Sequence, residues 1–140
     1  MDTSQTVGAG FGAAAALHRG VVFADFDRDG RIDAAVTALN KPIELWWNRS
    51  PQRNWLQLRL RGKRSNGSAI GAQVTCRTLS RTQTRCVTNT VGYASSSDLT
   101  VHFGLDADTK ASVQIHWPSG TAQDLGEVAA NQRMRVQEPG

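Results

Sequence analysis

The sequence predicts an all-β protein: an antiparallel β-sandwich-like domain preceded by a small β-hairpin unit. Three observations carry this. Short β-prone runs recur along the 140 residues, and polar turn clusters separate them at regular intervals. No long stretch sustains a helical period. One run, WLQLRLRG, alternates cleanly, with Leu56, Leu58 and Leu60 on one face and Gln57, Arg59 and Arg61 on the other, as a strand with one buried and one wet face requires.

The elements follow in order. GAGFGAAAALH, residues 8–18, comes first, and its glycines argue against a helix. VVFADF, IDAAVTAL and IELWW are strands of the hairpin unit. The polar stretch WNRSPQRN, with its proline, marks a boundary. Residues 1–50 are therefore expected to be the hairpin unit, and residues 52–138 a self-contained β-domain large enough to fold alone. Within it, WLQLRLRG, AIGAQVTCRT, RTQTRCVTNTV, DLTVHFGL, ASVQIHWP and RMRVQE are the expected strands. KRSNGS, SSSD, DADTK, PSG and AANQ are the turns between them. No apolar run approaches the ~18 residues of a membrane-spanning helix, so no membrane partner is expected. The start has neither a basic segment nor an apolar one, and so does not read as a signal peptide.

ADFDRDGRIDAAV is the densest chemistry in the chain. Asp25, Asp27, Asp29 and Asp33 fall within nine positions, and crowded carboxylates repel unless a cation neutralises them. The spacing D-x-D-x-D-G-x-x-D can turn positions 1, 3 and 5 inward together. Gly30 at position 6 permits the sharp turn, and position 7, Arg31, is expected to offer its backbone carbonyl. Asp33 at position 9 closes the set. Oxygen ligands in this number suit Ca2+, which takes ~6–8 of them, better than magnesium. A helix-flanked calcium loop needs Glu at position 12; here that residue is Val36. The flanks are β-prone, so the loop joins two strands.

Charge is unevenly distributed around a net +4. No Asp or Glu occurs between Leu45 and Ser97, whereas arginines are frequent there. Arg59, Arg61, Arg77 and Arg85 are candidates for a polyanion-binding surface. Aromatics are sparse in this stretch, which favours an acidic polysaccharide over nucleic acid.

Cys76 and Cys86 match no zinc spacing. They lie on consecutive strands of one expected hairpin. A Ser80-Arg81-Thr82 loop would set them face to face for a disulfide; a Leu79-Ser80 loop would put them on opposite faces. Catalytic signals are absent. GAGFGA lacks the preceding strand of a dinucleotide fingerprint. His18, His102 and His116 are scattered and read as surface residues. No Ser or Cys stands in a nucleophile motif. Trp47 and Trp55 bracket the boundary and are expected to pack there.

FADFDRDGRIDAAVTALN followed by LWWN resembles the calcium-bearing FG-GAP or VCBS repeat of integrin-type propellers. NWLQLRLRG, SAIGAQV, VGYASSSDLTVHFGLDAD, VQIHWPSGTAQDL and VAANQRMRV resemble the ASPIC and UnbV domain. The resemblance implies a non-enzymatic, extracytoplasmic or secreted, adhesion-like module at the C-terminal end of a propeller protein. It implies Asp25, Asp27, Asp29, the Arg31 carbonyl and Asp33 as calcium ligands. The expected partners are the missing propeller repeats and an unidentified protein or polysaccharide. The family's association with biosynthetic gene clusters leaves an alternative, an accessory domain of a biosynthetic enzyme.

Overall fold

The computed structural model describes residues 17–90, 92 and 95–140; GAGFGA and Tyr93 lie outside them. Ten strands are described, in three sheets. The first sheet is β1 (His18–Ala24), β2 (Asp33–Ala38) and β3 (Glu44–Trp46), an antiparallel meander. The second has the order β10 (Gln132–Gln137), β4 (Asn54–Arg61), β7 (Val101–Asp106). The third has the order β6 (Thr82–Cys86), β5 (Gln73–Arg77), β8 (Lys110–His116), β9 (Ala122–Ala129).

The second and third sheets form the sandwich. Alternation builds its core: Leu56, Leu58 and Leu60 from β4 and Phe103 and Leu105 from β7 meet Val74, Cys76, Val113 and Ile115 from the facing sheet. Trp117 is also buried, and its indole N–H donates to Gln123 at 3.0 Å, which removes the penalty of burying that group. The all-β, sandwich-like expectation holds, with one departure. β10 runs parallel to β4, so the last strand returns beside the first strand of the sandwich.

Two further features differ from the sequence reading. Ala122–Ala129 is a strand that the sequence pattern does not signal. It is an edge strand with few inward apolar residues, and its register with β8 shifts beside Val113 and Gln114. Secondly, β5 and β6 pair Cys76 with Gln83 and Cys86 with Gln73, the register of a Leu79-Ser80 loop. Cys76 points into the core and Cys86 outward, and both thiols are free. The disulfide considered for Cys76 and Cys86 therefore does not form: residues an odd number of steps apart on this ladder lie on opposite faces. Burial pushes the Cys76 thiol up to about 11, which makes it inert.

The C-terminus is clamped. Glu138 is buried, and one carboxylate oxygen accepts the amides of Lys63, Arg64 and Ser65 at 2.7, 2.8 and 2.7 Å. The other accepts the hydroxyls of Ser65 and Ser119. Burial alone would raise its pKa; the Ser119 hydroxyl and the Ser65 and Lys63 amides outweigh that and hold it at about 2. An anion held by three successive backbone N–H groups is a nest.

Candidate functional site

The turn between β1 and β2 brings Asp25, Asp27 and Asp29 together. Each offers a carboxylate oxygen within 4.8 Å of the others. The turn is tight because the carboxylates also organise their own backbone. Asp25 accepts the amides of Asp29 and Gly30, both at 3.0 Å, and Asp29 accepts the Arg31 amide at 2.9 Å. Gly30 takes a left-handed φ of +88°, the conformation expected for position 6.

One member of the expected ligand set stands apart. Asp33 is buried, and its two oxygens accept the Phe26 amide at 3.0 Å and the Asn48 amide at 2.8 Å. It ties the loop to the segment after β3 and is not in the three-carboxylate cluster. Arg31 also takes part through its side chain. Its guanidinium binds the Asp29 carboxylate and donates to the Ser50 carbonyl at 3.0 Å. That guanidinium holds the Asp29 carboxyl below its ordinary range. Arg49 lies 3.8 Å from Asp27. The loop thus carries a built-in counter-charge that the spacing alone did not reveal.

The loop sits on the polar face of the second sheet. Gln57 donates to Asp25 at 2.7 Å, and Gln52 donates to the Asp29 carbonyl at 2.8 Å. His102 Nε2 lies 2.7 Å from the Gly30 carbonyl. A carbonyl only accepts, so that nitrogen carries the proton. Burial pushes the His102 pKa down, against the pull of the Gly30 contact and Asp25. His102 is therefore a half-buried docking residue, not the surface residue expected. The Trp55 indole stands where a side chain on Gly30 would be, its Nε1 only 1.9 Å from that Cβ position. Trp55 thus packs at the boundary, whereas Trp47 stays 43% exposed. On the other side of β1, Ser95 and Ser97 hydroxyls accept the Val21 and Phe23 amides. A cavity of about 320 Å³ at this junction is lined by Phe23, Ile32, Arg85, Asp98 and His102 among others.

The four expected polyanion arginines do not share one surface. Arg59 and Arg61 project outward from β4, opposite in phase to the buried leucines. Arg77 projects outward from β5, in the other sheet. Arg85 pairs with buried Val74 and lines the junction cavity. The neighbours of Arg59 and Arg61 are instead Arg133 and Arg135 of β10, set there by the parallel pairing.

Known proteins resemble this chain over most of its length. Mouse and human cartilage acidic protein 1 are each 32% identical over 106 residues, covering 72% of this chain and 16% of theirs. The Xenopus tropicalis protein of that name is 29% identical over 124 residues, covering 85% of this chain and 18% of its own. The chain thus spans less than a fifth of the length of these relatives. Residues 62–140 match the ASPIC and UnbV family. The alignments to the relatives are longer than that 79-residue span, which already reaches the C-terminus, so similarity continues upstream of Gly62. With more than half of its length matched, the chain belongs to the ASPIC and UnbV family.

Proposed function

We propose that the chain is a non-enzymatic, calcium-organised junction: a propeller-type FG-GAP or VCBS repeat locked onto the ASPIC and UnbV β-domain of a larger extracytoplasmic protein. The observation that carries this reading is the position of the acidic loop. Its three converging carboxylates lie directly over the polar face of the second sheet, joined to it by Gln57.

The donor set fits a hard cation. Asp25, Asp27 and Asp29 offer only oxygen, and they converge without a soft ligand among them. Arg31 at Asp29 and Arg49 at Asp27 supply two positive charges against three carboxylates, which leaves the cluster net negative, and a bound Ca2+ would answer that remaining charge. Asp33 would act from behind, holding the loop ends through Phe26 and Asn48. Millimolar calcium outside the cell suits a site of this kind, as do relatives named for cartilage.

The first sheet supports the propeller reading. Seven large apolar side chains between Leu17 and Trp47 are 43–63% exposed, a concentration that a further β-repeat would cover. Two polar groups in the junction cavity already have structural work: Asp98 is held by Arg59 and Arg133, and His102 by Gly30. That favours recognition and packing over catalysis.

Calorimetric titration of the whole chain tests the site. Calcium should bind with a Kd of ~10⁻⁴–10⁻³ M, and magnesium more weakly. Asp27→Ala should remove the calcium heat and leave the β-sheet circular dichroism unchanged. Absence of calcium heat in the wild-type chain, or an Asp27→Ala chain that binds as well, overturns the reading.

A further inference from the structure

We propose that the outer face of β4 and β10, beyond the end covered by the acidic loop, binds a sulfated polysaccharide through Arg61 and Arg135, with Arg59 and Arg133 completing the surface. The argument starts from register. Arg135 lies beside Arg59, Arg133 beside Gln57 and Gln137 beside Arg61. All six point away from the core, because Leu58, Leu60 and Val136 on the alternate positions are buried. Neighbours across the ladder are ~4.8 Å apart, and successive outward residues along a strand ~7 Å apart. Four guanidinium groups therefore share one small area.

Such a cluster works against the fold, since like charges side by side on a sheet repel. Asp98 answers part of it, lying 3.0 Å from Arg59 and 3.3 Å from Arg133. Among the described residues, neither Arg61 nor Arg135 has an ion-pair partner. Both also line an open groove of about 630 Å³ whose other polar walls include Arg59, Ser68 and Gln137. The positive charge thus faces a concavity at the surface.

The shape of the charge selects the ligand. A surface grid of this extent is engaged more fully by a chain bearing repeated anionic groups than by one small ion. Guanidinium forks bind oxyanions in pairs, and sulfate keeps its charge throughout the working pH range. No aromatic side chain lines the groove, so there is no platform on which nucleic-acid bases could stack.

Binding of a heparin-derived octasaccharide to the full chain, measured across a salt series, tests this. Arg61→Ala/Arg135→Ala should weaken binding by about ten-fold or more and flatten the salt slope by about two contacts. Arg19→Ala/Arg77→Ala removes the same charge from exposed positions elsewhere and should change affinity less than about two-fold. Chemically desulfated octasaccharide should bind poorly. Equal losses in the two double variants, no salt-sensitive binding by the wild-type chain, or full retention of affinity by the desulfated sugar each overturn the proposal. So does a thymidine octanucleotide that binds as tightly as the octasaccharide.

Discussion

Glu138 shows how much one side chain can hold. Its carboxylate joins the turn after β4, the Ser119 turn and the end of β10. Nothing in RMRVQE announces that role, because the partners are backbone amides about 75 residues away. The consequence for pH has a definite sign. The folded carboxyl titrates at about 2, below its ordinary 4.5. The clamp therefore stabilises the fold fully above about 4.5 and loses that contribution as pH falls towards 2. Glu138→Gln removes the charge that three amides share. It should melt several degrees lower at pH 7, and the difference from wild type should shrink at pH 2–3. A gap between the two melting curves that stays constant down to pH 2 contradicts this account. The acidic loop lies at the other extreme of legibility. Asp25, Asp27, Asp29 and Gly30 are close in sequence, and local spacing alone sets their convergence.

Among the elements, alternation made β4 and its leucine face legible, while long-range pairing stayed hidden. The parallel return of β10 beside β4 is a tertiary event. It moves Arg133 and Arg135 next to Arg59, while Arg77 and Arg85 lie on strands of the other sheet. β9 is not legible in the sequence because an edge strand buries little and needs no apolar alternation. The β5–β6 turn was readable as two alternatives, and the register selected the one that keeps the cysteines apart. The β1–β2 turn makes a sharper demand. Gly30 needs a left-handed φ and also leaves room for the Trp55 indole. Gly30→Ala imposes backbone strain of ~1–2 kcal/mol and drives a methyl into that ring. The loop should lift from β4, Trp55 fluorescence should shift to the red, and the melting temperature should fall. Unchanged fluorescence and melting would show that the loop is not docked through Trp55.

For the whole molecule, the expectation is that the first sheet and the sandwich unfold as one cooperative body joined at the acidic loop. Direct bonds already cross the junction, from Gln57 to Asp25, from His102 to Gly30 and from the Asp98 amide to the Phe23 carbonyl. A cation at Asp25, Asp27 and Asp29 would strengthen that junction by mass action, because it favours only the folded loop. With a Kd of ~1 mM, ~10 mM calcium adds ~1.4 kcal/mol, which for a chain of this size raises the melting temperature by roughly 3–6 °C. The most direct measurement is thermal unfolding of the full chain in ~10 mM calcium and in excess chelator, with Asp27→Ala alongside. A single transition that rises by this amount in the wild-type chain, with no rise in Asp27→Ala, is the predicted result. A wild-type melting curve that is the same in calcium and in chelator contradicts a calcium-organised junction.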